Sequence, residues 1–208
     1  MTNNKVLIIN GHLLYKGISE GKLNKMFVNE AEKFLKKNSY QVQHTITEKD
    51  YDIQEELEKL SWADYIIFQF PVYWFGVPWI TKKYFDEVWS AGYTTVTCSG
   101  DGRTKEDPSR RYGTGGLMIE KSYMLSLTYA CPEIEFNDKD GFYDGKNIDE
   151  TNIGIHKIFQ FCGLKPLNTY AIYNVHKEEN LNIEKELNKF RKVLNKNFTS
   201  KLKNQKYY

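Results

Sequence analysis

The regular alternation of short apolar runs with stretches of helical periodicity constrains this chain more than any other feature. The runs at 5–9, 65–68 and 121–128 have the length of buried strands. After each of them, apolar residues recur about every 3.6 positions, which is typical of a helix with one buried face. Strands that alternate with helices pair in parallel through right-handed crossovers. The pattern therefore predicts an α/β fold with a parallel sheet.

Two further runs complete a set of five strands. The run at 40–46 alternates in polarity, which favours a position near an edge, and the run at 167–175 is the predicted fifth strand. Asp52 is placed to cap a short helix, and Gly163 stands where a helix should end. The predicted helices are marked by periodic apolar residues at 23–35, 53–60, 80–89, 155–162 and 183–194.

Two segments interrupt this alternation, although the length of 208 residues suits one domain, 1–208. The loop at 92–116 contains six glycines, and its Asp101-Gly102 and Gly115-Gly116 pairs predict hairpin turns and a small two-stranded excursion. The insertion at 133–149 is rich in aromatic and acidic residues. A long irregular loop in a compact domain is usually functional or disordered, so 92–116 is a candidate for function.

Charge and cysteine content narrow the function classes. The net charge is +2, so neither nucleic acid nor a membrane surface is required as a partner, and no run approaches the length of a membrane helix. Cys98, Cys131 and Cys162 are odd in number and far apart, which disfavours a zinc site or a disulfide framework and favours a reducing compartment. No signal peptide is visible after Met1, and the expected location is the cytoplasm.

The loop at 12–22 follows the first strand and carries Gly17, Ser19 and Gly21 before a helix begins. A strand, a glycine-bearing loop and a helix together offer backbone N–H groups and a helix dipole to a phosphate. The dinucleotide fingerprint GxGxxG and the P-loop pattern are both absent. The alternative is an ordinary connection in which Ser19 caps the helix.

The stretch at 70–79 follows the third strand and contains three consecutive aromatic residues, Tyr73, Trp74 and Phe75, before Gly76. The carboxyl ends of parallel strands are where ligands bind in open α/β sheets. Aromatic rings and a glycine suit a flat aromatic ligand, because the rings can stack and the backbone can approach closely. The alternative is that these side chains pack the loop against the following helix.

Several stretches in combination are specific, and they lie at 7–11, 62–64, 76–84, 101–104, 107–109, 112–116 and 123–128. Over them the chain resembles the modulator of drug activity B family of flavin-dependent NADPH:quinone reductases, and the resemblance extends over nearly the whole chain. It implies a flavodoxin-like three-layer αβα sandwich with a five-stranded parallel sheet. It also implies a homodimer that binds FAD without a covalent link and reduces quinones by two electrons.

The resemblance further implies an FAD site built from three loops. The phosphates and ribityl chain should meet the first loop, the isoalloxazine should lie on the aromatic stretch, and the loop after the fourth strand should hold its other edge. The implied FAD-binding residues are Ser19, Glu20, Gly21, Lys22, Leu23, Asn24, Lys25, Met26, Val72, Tyr73, Trp74, Phe75, Gly76, Tyr112, Thr128, Tyr129, Ala130 and Cys131. A substrate slot is expected between Tyr73, Trp74 and Phe75, with Phe136 or Phe142 from the insertion.

The chain departs from the family pattern at three places. Tyr73 stands where tryptophan is common, and Tyr-Ala-Cys at 129–131 replaces Trp-Asn-Ala, so an asparagine amide facing the flavin is missing. Either a backbone group replaces that amide, or the redox behaviour of the flavin differs from that of the family. The first loop, 12–16, also differs.

Chemistry on a flavin needs no catalytic set of side chains, and none is expected here. His12, His44, His156 and His176 are scattered and are interpreted as structural. Two alternatives stay open: an FMN-containing one-electron carrier of the flavodoxin type, and a non-catalytic binding module with this fold. The mild basic charge and aromatic insertions disfavour the first, and the intact aromatic stretch disfavours the second. The physiological acceptor and the choice between NADPH and NADH also stay open.

Overall fold

The computed structural model describes residues 4–176 and 181–199, and a parallel sheet lies at its centre. The sheet order is β2-β1-β3-β4-β5, with β6 also paired to β4, and all pairings are parallel. The predicted parallel sheet is confirmed, and the alternating run forms an edge strand as expected. The strands are β1 (Lys5–Asn10), β2 (Gln41–Ile46), β3 (Tyr65–Pro71), β4 (Ser122–Thr128), β5 (Lys165–Pro166) and β6 (Tyr170–Ile172).

Helices cover both faces of the sheet and complete the three layers. Phe27 and Phe190 belong to the core on one face, and Leu57, Tyr84 and Phe159 belong to the core on the other. Within the described residues, no helix combines the length and the apolar character needed to cross a membrane. The helices are α1 (Lys22–Lys37), α2 (Ile53–Trp62), α3 (Trp79–Tyr84), α4 (Ile148–Thr151), α5 (Ile153–Phe161) and α6 (Ile183–Phe198), and a π-helical turn (Phe85–Trp89) continues α3.

The helix ends follow local chemistry at two of the predicted positions. The Asp52 carboxylate accepts the N–H of Glu55 at 2.9 Å and caps α2. Gly163 adopts a φ of +94° just beyond α5, a conformation that favours glycine. Both predicted helix boundaries are confirmed.

The fifth strand differs from its prediction at 167–175. It is split into β5 and β6, which pair with the two ends of β4. Between them, the N–H of Asn168 donates to the Asn197 side chain of α6 at 3.1 Å, instead of joining the ladder. A side-chain amide on a helix therefore interrupts the strand.

The loop at 92–116 does not form the expected two-stranded excursion. Among the described residues it contains one isolated antiparallel bridge, between Cys98 and Gly116. The N–H groups of Gly113 and Thr114 fold back onto the carbonyl of Asp101, at 2.7 and 3.2 Å. The loop is thus held by turns rather than by a ladder.

Candidate functional site

The first loop and the start of α1 enclose a cavity of about 240 Å³ at the carboxyl edge of the sheet. Seven of the predicted cofactor residues line it: Ser19, Glu20, Gly21, Lys22, Leu23, Asn24 and Thr128. Lys25 and Met26 do not line it, because they lie one step further along α1 and are exposed to solvent. The first loop and the fourth strand therefore meet as expected.

The N-terminus of α1 opens on this cavity without a side-chain cap. The N-cap is Gly21, with a φ of +73°, so the interpretation of Ser19 as the cap is wrong. A Cβ at Gly21 would lie 2.7 Å from the His12 ring, which leaves room only for glycine. The first N–H groups of an uncapped helix carry the positive end of its dipole. This corner of the site fits a phosphate.

A chain of buried amides forms the floor beneath the cavity. The Asn24 amide donates to Asn10, Gln69 donates to the Asn24 oxygen at 2.9 Å, and the Ser126 hydroxyl donates to Gln69 at 2.6 Å. Since both ends of the Asn24 amide are engaged, its side chain supports the floor rather than offering a free ligand group. Fully paired buried networks of this kind make a site rigid.

The aromatic stretch forms a tight turn that is strained and exposed. Tyr73 and Gly76 exchange backbone hydrogen bonds of 2.9 and 3.1 Å across Trp74 and Phe75. Trp74 and Phe75 have φ values of +46° and +66°, which lie in the left-handed region of backbone conformation. This conformation costs a non-glycine residue about 1–3 kcal/mol. Trp74 is 95% exposed and Phe75 is 61% exposed. For these two rings the alternative of packing against the helix is wrong, because the turn directs them into solvent.

The insertion supplies one aromatic wall and not the other. Phe142 stacks on Phe75 with ring centres 5.6 Å apart and planes 15° apart. Phe136 is buried, and its ring stacks on Tyr143 at 4.3 Å and meets the edge of Tyr129. The prediction that Phe136 lines the slot is therefore wrong, since its side chain points inward and packs between Tyr129 and Tyr143.

The loop after β4 offers backbone rather than side-chain groups. The Tyr129 ring is buried, its hydroxyl accepts the Asn152 amide at 2.8 Å, and burial raises the pKa of that hydroxyl. Ala130 is exposed and has no polar side chain, and burial raises the pKa of the Cys131 thiol. The Tyr129 N–H, the Tyr129 carbonyl and the Cys131 carbonyl are bonded to the chain at 172–175, so a cofactor edge placed here would meet the backbone of Ala130 and the N–H of Cys131.

Tyr112 lies away from the cavity, in a second depression of about 740 Å³ between the π-helical turn and α5. Its ring centre is 5.4 Å from that of Phe161 and 5.7 Å from the Arg103 guanidinium, and the residue is 71% exposed. We call this depression the interhelix groove; its apolar lining includes Phe85, Trp89, Tyr93, Tyr112, Ile158 and Phe161. Within one chain, Tyr112 belongs to the groove and not to the cavity.

Two histidines lie in the cavity wall although the sequence indicated only structural roles. His12 and His176 both line it, and burial lowers the pKa of His12. The position of His12, just after the carboxyl end of β1, could have indicated a place in the ligand site, because ligands bind at that end of parallel strands. The other two have structural contacts: His156 lies 2.6 Å from the Tyr123 hydroxyl, and His44 lies 3.3 Å from Glu32.

Comparisons with known proteins agree with this architecture. The sequence profile of a family described as having a flavodoxin-like fold matches residues 4–194. The NADPH:quinone oxidoreductase MdaB of Haemophilus influenzae is 37% identical over 172 residues, which cover 83% of this chain and 88% of that protein.

Two solved structures share the fold at low identity. A candidate quinone reductase from Klebsiella pneumoniae superposes with a TM-score of 0.70 and 23% identity, over 91% of this chain and 82% of the other. General stress protein 14 from Treponema denticola, solved in complex with FMN, superposes with a TM-score of 0.62 and 14% identity, over 92% of this chain and 98% of the other.

Proposed function

The chain belongs to the modulator of drug activity B family of flavodoxin-like proteins, and from that premise we propose that it is an FAD-dependent NAD(P)H:quinone oxidoreductase. Bound FAD would accept two electrons as hydride from NADPH or NADH and deliver them to a quinone. The protein's own contribution is to bind the reactants, orient them and exclude water.

The observation that carries this proposal is the pairing of two features on one edge of the sheet. The uncapped N-terminus of α1 suits phosphates, and the strained turn at Trp74 and Phe75 presents bare aromatic rings. Strain of this kind persists at sites where a ligand uses the conformation. A flavin nucleotide has both a phosphate and a flat ring system, so one ligand accounts for both features.

The residues would divide the work as follows. Gly21 and the backbone of 22–24 would hold phosphate oxygens, and Gly76 would let the ring system approach, because a Cβ there meets no atom within 4 Å. The backbone of Ala130 and the N–H of Cys131 would hold its other edge. Trp74, Phe75 and Phe142 would form the walls of the slot for nicotinamide and quinone.

A single slot implies a ping-pong mechanism. Nicotinamide and quinone are both flat, and both need the same exposed face of the flavin. At the carboxyl edge of the sheet, where the flavin would lie, the described residues form one set of aromatic walls, so oxidised nicotinamide would leave before the acceptor enters. Double-reciprocal plots at several fixed acceptor concentrations are expected to be parallel. Intersecting lines would imply a ternary complex and contradict the single slot.

A homodimer is part of the proposal and rests on the interhelix groove. Trp89 lines this groove, and its buried indole N–H lies beside the Cys162 thiol, a weak acceptor. Apolar side chains around it leave an uncovered surface, and two-fold self-association is the commonest way to cover one. A contact there would also account for Tyr112, which lies on the groove. We further propose a cytoplasmic location, since all three cysteines are free.

The experiment that tests the proposal is extraction of the bound cofactor. The purified protein is expected to be yellow, and acid precipitation followed by chromatography should release FAD. FMN alone would contradict the FAD assignment and leave the FMN-containing carrier open. Absence of flavin after incubation with FAD would support the non-catalytic binding module.

A further inference from the structure

The first loop contains a small hairpin, of which Gly17, Ile18 and Ser19 also line the cavity. In this first-loop hairpin, 13–19, the N–H of Tyr15 donates to the Ser19 carbonyl at 3.0 Å, and the N–H of Ser19 donates back at 2.8 Å. Gly17, with a φ of +74°, permits the turn. Lys16 lies at the exposed tip.

Tyr73 holds this hairpin from the loop after β3. Its hydroxyl lies 3.1 Å from the Leu13 carbonyl and 2.5 Å from the Ser19 hydroxyl. It can donate to the carbonyl while accepting from Ser19, so one phenol satisfies groups at both ends of the hairpin. His12 Nε2 lies 3.4 Å from the same Ser19 hydroxyl.

Glu48 holds the hairpin from a third loop, the one after β2. Its carboxylate accepts the N–H of Leu14 at 2.8 Å, and it lies 4.0 Å from His12 Nδ1. The hairpin is therefore fixed by side chains from two different loops. Neither contact involves the cavity floor or the α1 N-terminus.

The consequence is an aromatic surface beside the slot. The Tyr15 ring centre lies 5.5 Å from that of Tyr73, which opens the strained turn. Leu14, Tyr15 and Ile18 are 51%, 42% and 74% exposed, so the hairpin carries apolar side chains that its own packing does not cover. Of these side chains, Tyr15 contacts Tyr73, the residue that directly precedes the two rings of the proposed slot, Trp74 and Phe75.

We propose that Tyr73 and Glu48 are positioning residues that fasten the first-loop hairpin as a fixed wall, and that Tyr15 on this wall limits the size of the acceptor. The size limit rests on the proposed quinone reductase function. The fastening of the hairpin by Tyr73 and Glu48 does not rest on that function, because it follows from hydrogen bonds within the chain.

Limited trypsin digestion of the purified protein tests the fastening. Cleavage after Lys16 is measured by mass spectrometry, with cleavage after Lys105 in the exposed long loop as the internal reference. Tyr73→Phe removes only the hydroxyl, and Glu48→Ala removes the second contact. Glu48→Ala is expected to accelerate cleavage after Lys16 about fivefold, the effect of losing one hydrogen bond on local opening. Tyr73→Phe loses two hydrogen bonds and should accelerate this cleavage at least as much.

Tyr143→Phe is the matched control, since it removes a phenol hydroxyl outside the hairpin and should leave the rate unchanged. Two variants are used because Tyr73→Phe could disturb the turn itself. Equal cleavage rates after Lys16 in wild type, Tyr73→Phe and Glu48→Ala would overturn the fastening.

Tyr15→Ala tests the size limit with acceptors of one and three fused rings, 1,4-benzoquinone and anthraquinone-2-sulfonate. The ratio of kcat/KM for the larger acceptor to that for the smaller one is expected to rise at least several-fold. An unchanged ratio would remove Tyr15 as the limiting wall. Absence of turnover with both acceptors would instead contradict the proposed function, while the digestion result would still stand.

Discussion

Two consecutive aromatic residues in left-handed backbone conformation are the most unusual local feature of this molecule. Trp74 and Phe75 occupy the central positions of a tight turn that normally selects glycine or asparagine. Trp74 is almost fully exposed and Phe75 is covered only in part, by the Phe142 ring, so packing offsets little of the strain. At the scale of single residues, this turn therefore lowers the stability of the fold.

Replacing Trp74 by glycine should stabilise the fold. Relief of left-handed strain contributes about 1–2 kcal/mol, and the added freedom of glycine in the unfolded chain offsets about 0.5–1 kcal/mol of this. The free energy of unfolding, measured by urea denaturation, is expected to rise slightly for Trp74→Gly.

Trp79→Gly is the matched control, because Trp79 is 62% exposed but begins α3. Glycine there should lower stability by up to about 1 kcal/mol. Equal losses for both variants would show that the Trp74 turn is not strained.

Gly76→Val separates a ligand effect from a folding effect. An added side chain at Gly76 meets no protein atom within 4 Å, so the fold should tolerate it. If FAD lies against this backbone, the flavin content of the purified protein should fall sharply while the circular dichroism spectrum stays native. Gly76→Ala should fall in between. Full flavin content in Gly76→Val would show that Gly76 only serves the turn.

At the scale of elements, a buried carboxylate fastens α2 between the sheet edge and α3. Glu56 is 2% exposed and accepts from the Thr45 hydroxyl, the Tyr84 hydroxyl and the Lys59 ammonium at 2.5, 2.7 and 2.6 Å. Burial raises the pKa of Tyr84 well above its ordinary value, which keeps this hydroxyl a neutral donor. One side chain thus links a strand and two helices.

Glu56→Ala should lower the free energy of unfolding by about 3 kcal/mol, because it leaves buried donors without an acceptor. The neighbouring Glu55 is exposed, and Glu55→Ala should change stability by less than about 0.5 kcal/mol. Urea denaturation of both variants gives the comparison. Similar values for the two would show that water replaces the lost acceptor.

Some of these elements could be predicted from the sequence and others could not. Buried strands and amphipathic helices were predictable, because their apolar spacing reflects local geometry. The break in the fifth strand was not, since it depends on Asn168 meeting Asn197 from a distant helix. Phe136 and Phe142 are equally aromatic, and only tertiary packing buries one and exposes the other.

In the candidate site too, some features could be predicted from the sequence and others could not. The first loop and the loop after β4 could be placed at one edge from strand order alone. The hydrogen bonds between Tyr73 and the first loop could not, although Tyr73 and 12–16 both depart from the family pattern. The hydrogen bond from the Tyr73 hydroxyl to the Leu13 carbonyl brings these two unusual stretches together in the fold.

At the scale of the whole molecule, the interhelix groove should be covered by a second copy. Sedimentation at micromolar protein is expected to give a species of about twice the 24.5 kDa chain mass. Ile158→Glu places a charge in the groove and should shift the protein toward monomer.

Ile53→Glu is the matched control, because Ile53 is 39% exposed at the start of α2 and does not line the groove. It should leave the dimer intact. A wild-type protein that sediments only at the chain mass would contradict the proposed interface.

The most direct test of the central claim is an anaerobic titration of the reconstituted protein, followed by its visible absorption. One equivalent of NADPH per bound FAD should abolish the flavin absorption, and one equivalent of 1,4-benzoquinone should then restore it. This result would show hydride transfer in and out of the same site. A protein without visible absorption after incubation with FAD, or one whose absorption neither NADPH nor NADH changes, would contradict the assignment as a quinone oxidoreductase.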